Sequence, residues 1–182
     1  MTVTQTPVED SLFGPLTVRL DTERGEVVVE GEAVPRIVLS RAAGTETDDH
    51  IPVGTRDGGR LTLTVAGEEA SVHPAKGRLT RRSFRVDVRH AGHVWRLVPD
   101  SLPGSRFLRD GRRLADFYSE GDGEVTAEWR PETGPEAELG TGSDTGPDPT
   151  DVALGYALAA AFGTGAQPMW MLVSDAIGDL IP

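Results

Sequence analysis

The chain contains no cysteine among its 182 residues. Disulfide scaffolds, thiol catalysis and cysteine-based zinc sites are therefore excluded. Aromatic residues are also scarce, at 5% of the chain, and acidic residues outnumber basic ones by 29 to 18. The resulting net charge of −11 makes a nucleic-acid partner improbable, because most of the surface would repel phosphate. A local basic face remains compatible with this composition.

The N-terminus has neither the basic region nor the apolar region of a secretory signal. Residues Met1–Pro7 are mostly polar, and Glu9 and Asp10 follow them. We therefore expect the protein to be cytoplasmic. If a basic face binds lipid, the protein would be a peripheral membrane protein on the cytoplasmic side.

Short alternating runs separated by turns occupy the first 130 residues. Apolar and polar side chains alternate in Leu16–Leu20, Leu61–Val65, Phe84–Val88 and Val125–Trp129, as in strands with one buried face. The chain also has 22 glycines and 13 prolines, which favour turns over long helices. The pair Asp110-Gly111 is typical of a tight hairpin turn. This pattern predicts an antiparallel sandwich or barrel.

The end of the chain predicts a helix of a different kind. Residues 131–149 form an acidic loop rich in glycine and proline, and Asp148 is suited to cap a helix that begins at Pro149. Residues 152–162 are apolar on every side, so protein or lipid must surround them. We therefore predict one mainly β domain over residues 1–182, in which a strand-rich barrel or closed sheet (1–130) wraps around this hydrophobic helix. The amphipathic segment Met169–Ile181 follows and completes the region 150–182.

The same region raises the question of a membrane anchor. Residues 152–174 are uncharged for 23 consecutive positions, which is long enough to cross a bilayer. However, Gln167 and Pro168 interrupt the run, and the flanking charges are aspartates without the Lys or Arg that sets orientation. These features favour a buried core helix, so we expect no transmembrane span.

Five segments follow one another in an order that resembles a known family. They comprise a strand, its hairpin partner, a second hairpin with an Asp-Gly turn, one further strand and an Asp-led apolar helix: Phe84–Val86, Trp95–Leu97, Arg109–Phe117, Val125–Trp129 and Asp151–Leu158. This order resembles the tubby-like superfamily, and within it the LURP-one-related and phospholipid-scramblase-like proteins. The resemblance implies a tubby-like barrel around the helix. It also implies binding of phosphoinositide headgroups by exterior basic residues, a link to membranes and calcium in scramblase-like members, and no catalytic residues.

Basic residues are concentrated in one part of the chain. Lys76–Arg113 contains eleven basic and three acidic residues. If the apolar residues of Phe84–Val88 point inward, then Arg81, Arg85 and Arg89 project from the opposite face. We take these three arginines as candidate ligand-binding residues for an anionic lipid headgroup or an acidic protein partner. The other interpretation is that acids on neighbouring strands or in the acidic loop neutralise them.

These observations predict a non-enzymatic binding or scaffold protein. The alternative is a structural subunit of a homo-oligomer or larger assembly that uses Met169–Ile181 as its contact. No catalytic residue and no cofactor are predicted. His90 and His93 lie three residues apart at a hairpin tip, but two histidines without a third ligand do not predict a metal site.

Overall fold

The computed structural model describes residues 3–77, 80–130 and 146–163, and it shows eleven strands in one sheet. The strands are β1 (Val3–Asp10), β2 (Gly14–Asp21), β3 (Glu26–Gly31), β4 (Val34–Arg41), β5 (Leu61–Val65), β6 (Glu68–Pro74), β7 (Val86–His90), β8 (His93–Pro99), β9 (Gly104–Arg109), β10 (Arg112–Ser119) and β11 (Val125–Trp129). Short 3-10 turns span Gly58–Arg60 and Arg81–Phe84, and the helix α1 spans Pro149–Phe162.

The strands form an antiparallel meander that curls into a nearly closed barrel around α1. Each strand pairs with its neighbours in sequence, from β1 to β11. All residues of α1 from Asp151 to Phe162 are buried, and the helix contacts β2, β3 and β4 on one side and β8 to β11 on the other. Both faces of a helix that is apolar all round are thereby removed from water. The predicted mainly β barrel around a hydrophobic helix is confirmed.

Gly155 is the position where α1 comes closest to the barrel wall. A Cβ atom at this position would lie 2.2 Å from Cζ of Phe117. The Phe117 ring packs edge-on against Phe107, Trp129 and Tyr156, with ring centroids 5.2 to 5.6 Å apart, so it has little room to move. Close packing, and not backbone conformation, requires glycine here.

We expect Gly155→Ala to lower the free energy of unfolding by about 1–3 kcal/mol, because the added methyl overpacks the core. In an exposed helix the same change would stabilise by about 1 kcal/mol. Urea unfolding of the unaltered protein and of the variant measures the change in the free energy of unfolding. The double variant Gly155→Ala/Phe117→Leu is the control, because the smaller side chain at position 117 relieves the clash and makes the two losses less than additive. A Gly155→Ala protein more stable than the unaltered chain would contradict the tight contact.

A buried charge cluster holds the N-terminus of α1. Asp148 caps the helix as predicted, since its carboxylate accepts hydrogen bonds from the N–H groups of Thr150 and Asp151. The fully buried Asp151 carboxylate accepts one hydrogen bond from Trp95 Nε1 and one from Arg109 Nη1, each at 2.7 Å. Arg109 Nη1 also lies 2.7 Å from Asp148 Oδ2. Burial raises the pKa of the Asp151 carboxyl, and Arg109 compensates for its charge.

We expect Arg109→Met to destabilise the protein by about 3–5 kcal/mol at neutral pH, because it leaves the Asp151 charge buried without a partner. Since the pKa of Asp151 is raised in the folded state, its protonation favours folding. The loss should therefore shrink as the pH falls towards the ordinary pKa of an aspartate. Chemical unfolding at several pH values tests this, with the exposed Arg36→Met as control. A loss that does not depend on pH would mean that packing, not charge, is what Arg109 provides.

The C-terminus of α1 is closed by the loop between β4 and β5. The Val53 N–H donates a hydrogen bond to the Ala161 carbonyl at 3.0 Å, and the helix ends at Gly163 with a positive φ of 53°. The buried Arg56 guanidinium lies 5.2 Å from the centroid of the Phe162 ring. Burial lowers the pKa of Arg56 to about 10, a value at which the side chain is still charged at neutral pH. Its positive charge complements the negative end of the helix dipole.

The seam between β1 and β11 has no hydrogen-bonded ladder in the described residues. Successive strands of the meander alternate in direction, and the number of strands is odd. The first strand β1 and the last strand β11 therefore run parallel, unlike every other neighbouring pair. Asp10 links the seam to the helix: its Oδ2 accepts hydrogen bonds from Trp129 Nε1 at 2.8 Å and from the Tyr156 hydroxyl at 2.9 Å. Its Oδ1 accepts from the N–H groups of Leu12 and Phe13 in the β1–β2 turn. Burial raises the pKa of the Tyr156 hydroxyl, which therefore stays a donor.

We expect Asp10→Asn to cost about 2–3 kcal/mol of stability, because the new amide places a donor where two N–H or O–H groups already point. Asp21→Asn is a matched control, since Asp21 is similarly buried and its carboxylate accepts a hydrogen bond from the Arg24 N–H in its own turn. Thermal and urea unfolding of both variants give the comparison. Equal losses at the two positions would show that the seam does not depend on Asp10.

None of the helices among the described residues has the length and apolar content needed to cross a membrane. Three of the predicted features lie outside the described residues. These are most of the acidic loop (131–145), the second half of the uncharged run (164–174) and the amphipathic segment Met169–Ile181.

Candidate anion-binding face

Arginine side chains project from the outer surface of β7 to β11 and from the turn before β7. Along these strands the intervening residues point into the core, among them Val86, Val88, Trp95, Leu97 and Phe107. The side chains between them face outward because successive residues of a strand alternate. We call this surface the arginine face and define it by Arg81, Arg82, Arg85, Arg89, Arg96, Arg106, Arg113 and Arg130.

Two of the three candidate residues lie where the alternation predicts. Arg85, immediately before β7, and Arg89, within it, are exposed. The apolar residues Phe84, Val86 and Val88 are buried on the opposite side. The inward and outward faces of this segment are therefore as predicted.

Arg81, which is predicted to share the outward face of Arg85 and Arg89, lies in a turn before β7. The segment Arg81–Phe84 forms a 3-10 turn, which is closed by a hydrogen bond from the Ser83 N–H to the Thr80 carbonyl at 3.0 Å. The buried Arg56 guanidinium binds the carbonyl oxygens at the end of this turn. The Phe84 carbonyl thus has a side-chain donor, whereas the Arg85 carbonyl also accepts a hydrogen bond from the Ala75 N–H at 2.9 Å, next to the β6–β7 pairing. Arg81 therefore lies in a turn beside β7 and not in one row with the other two arginines.

Asp87, on the outer face of β7, is shared by two arginines. Arg96 lies directly opposite on β8 and donates from Nε and Nη2 to the two carboxylate oxygens, at 2.6 and 3.1 Å. The Nε atom of Arg85 lies 3.6 Å from Asp87 Oδ2. Hydrogen bonding to Asp87 raises the pKa of Arg96.

Asp100, in the loop between β8 and β9, is shared in the same way. Arg106 donates two hydrogen bonds to its carboxylate, at 2.9 and 2.6 Å, and Arg82 Nη2 lies 3.7 Å from Oδ1. Hydrogen bonding to Arg106 lowers the pKa of Asp100, so this carboxylate is ionised at neutral pH.

Asp116, on the outer face of β10, is the third shared carboxylate. It pairs with Arg113 on its own strand and with Arg130 after β11, whose Nη2 lies 2.8 Å from Oδ2. Three aspartates thus serve six guanidinium groups. Arg81 and Arg89 form no ion pair with any residue in the three described ranges. Neutralisation is therefore partial, and the arginine face stays positive in a chain of net charge −11.

Several members of this face were not among the predicted site residues. Arg96 and Arg106 alternate with the buried residues Trp95, Leu97 and Phe107, and this alternation in the sequence could have indicated them. Arg109 belongs to the same basic segment but points inward to α1, where it pairs with Asp151. Arg109 lies two residues after the buried Phe107, so the alternation places it on the inner face, but the strand pattern does not indicate its partner on the helix.

A cleft of about 640 Å³ lies at the end of the barrel where α1 terminates. Its lining includes four acidic residues and one arginine: Glu23, Asp48, Asp49, Glu120 and Arg41. This charge would repel an anionic ligand, so the convex arginine face, and not the cleft, is the candidate anion site. Within the described ranges no group of three or more acidic or histidine side chains is arranged to hold a metal ion.

The chain was compared with protein-family models, with curated proteins and with solved structures. None of the three comparisons found a match.

Proposed function

We propose that this protein is a non-enzymatic binding module of the tubby-like type, which binds anionic headgroups through the arginine face. The family resemblance implies a barrel around a C-terminal helix, and the protein has an eleven-stranded barrel around such a helix. The proposed ligand is a phosphate-bearing lipid headgroup, and an acidic protein surface is the competing ligand.

One observation carries this proposal. Each of Asp87, Asp100 and Asp116 is shared by two arginines. The pairs at Asp87 and Asp100 each retain one unbalanced positive charge, whereas Glu128, directly opposite Asp116 on β11, balances the third pair. The aspartates also hold the guanidinium groups in fixed positions on neighbouring strands. A preorganised row of arginines loses less conformational entropy when it binds phosphate than a set of free side chains would.

The chemistry of guanidinium supports the same ligand. The planar fork of arginine presents parallel N–H donors that match two phosphate oxygens, which a lysine ammonium cannot do. Exposed ion pairs contribute little to stability, so an incoming phosphate group can replace an aspartate as the partner without disturbing the fold. The overall negative charge of the chain opposes general adsorption, which restricts anion binding to the basic face.

Charge reversal on the face tests the proposal. We expect Arg81→Glu/Arg85→Glu/Arg89→Glu to lower the partition coefficient on phosphatidylcholine–phosphatidylserine vesicles by about a hundredfold. The estimate takes about 1 kcal/mol for each basic residue near an anionic surface. Vesicle flotation measures the binding, and added salt should weaken the binding of the unaltered protein. Asp87→Asn should change affinity in the opposite direction, about fivefold upward, because it removes an acid from the face.

The matched control is Arg24→Glu/Arg36→Glu/Arg60→Glu, which changes the net charge equally at exposed arginines on the β2–β3 turn, on β4 and on the turn before β5. Equal loss in both triple variants would mean that net charge alone controls adsorption, and would refute a dedicated face. Absence of vesicle binding by the unaltered protein would also refute the headgroup proposal. Binding to a polyglutamate peptide in that case would favour the acidic protein partner.

A further inference from the structure

Leu102 is an exposed apolar side chain beside the arginine face. It lies in the loop between β8 and β9 and is 52% exposed. Two other large apolar residues are comparably exposed among those that the structure describes, namely Val3 at the start of β1 and Leu12 in the β1–β2 turn. Neither of these two belongs to a segment that contributes to the arginine face.

The loop that carries Leu102 is held firmly at its base. The N–H groups of Asp100 and Ser101 both donate to the Gly104 carbonyl, at 2.9 and 3.1 Å, and the Gly104 N–H donates to Ser101 Oγ at 3.0 Å. The Ser119 N–H of β10 binds the Pro103 carbonyl at 2.9 Å. Leu102 therefore projects from a short loop whose ends cannot spread apart.

Cations flank this loop. Its one acidic residue, Asp100, is held by Arg106 and Arg82, so the loop presents more positive than negative charge. Arg82 and Arg81 belong to the 3-10 turn that packs against β8. An apolar tip with basic residues on one side is a combination that lets a peripheral protein bind an anionic bilayer.

We infer that this loop docks on an anionic membrane, with Leu102 inserted into the membrane interface and Arg82 and Arg106 in contact with the headgroups. This inference rests on the proposed function and adds the depth and direction of docking. A single leucine on a convex loop offers too little apolar area for the core of a protein interface. A bilayer requires only that the side chain enter the boundary between headgroups and acyl chains.

Acidic neighbours limit the docked surface on one side. The β10–β11 turn, next to the Leu102 loop, carries Glu120, Asp122 and Glu124, which an anionic membrane repels. The barrel should therefore tilt so that the β8–β9 loop and the 3-10 turn approach the membrane, while the β10–β11 turn and the acidic cleft face away from it. The β1–β2 turn with Leu12 lies at the opposite end of the barrel from the Leu102 loop, because β1 starts beside the β10–β11 turn and runs away from it.

The absence of native cysteine allows a direct test on the full chain. The variants Leu102→Cys and Leu12→Cys each carry one thiol, at sites that are 52% and 50% exposed, and each accepts an environment-sensitive NBD label. On phosphatidylcholine–phosphatidylserine vesicles we expect a blue shift and quenching by doxyl-labelled lipid for the label at position 102. We expect neither change at position 12.

Affinity gives the second measurement. Leu102→Ala should lower the partition coefficient about tenfold, since burying most of a leucine side chain contributes about 1.5 kcal/mol more than burying an alanine. Leu12→Ala should leave it unchanged.

If the protein floats with vesicles but the label at 102 stays in water and Leu102→Ala binds normally, the insertion is refuted and headgroup binding by the arginine face stands. If neither labelled protein binds vesicles, the proposed function itself fails. Insertion at position 12 alone would place the opposite end of the barrel on the membrane and would also overturn the inference.

Discussion

The burial of one apolar helix determines how the rest of this protein is built. From Asp151 to Phe162 no residue of α1 reaches water, and both of its sides face strands. A single flat sheet would leave the far side of such a helix wet, so the sheet has to curve around it. The same constraint explains the tight contact of Gly155 with Phe117, because the barrel closes to the diameter that the helix allows.

Enclosure also creates an electrostatic problem at each end of the helix. The positive N-terminal end is matched by Asp148 and Asp151, whose combined charge requires Arg109. The negative C-terminal end is approached by Arg56, which is buried without a carboxylate partner in the described residues and binds backbone carbonyl groups instead. Arg56 and Arg109 are thus used inside the barrel, whereas six arginines of the arginine face are organised in pairs by Asp87, Asp100 and Asp116.

The architecture could be predicted from sequence to a large extent, and the exceptions have physical reasons. Alternation in β2, β5, β7 and β11 and the cap at Asp148 are visible locally, because each depends on neighbours within a few residues. The edge strand β1 was missed because its Thr-rich sequence has only Val8 packed on the core. The alternation does not reveal the turn at Arg81–Phe84, because the Phe84 carbonyl at its end is bound by Arg56, which is distant in sequence.

The sequence by itself determined that a helix without a polar side follows a series of short strands, and hence that a β-barrel must surround it. It also determined that positive charge is concentrated between residues 76 and 113. Only the tertiary structure decided which aspartates the outward arginines share, and that Arg109 pairs with Asp151 of the helix. The reason is that periodicity is a property of one segment, whereas an ion pair depends on the register between strands and on the position of the helix inside them.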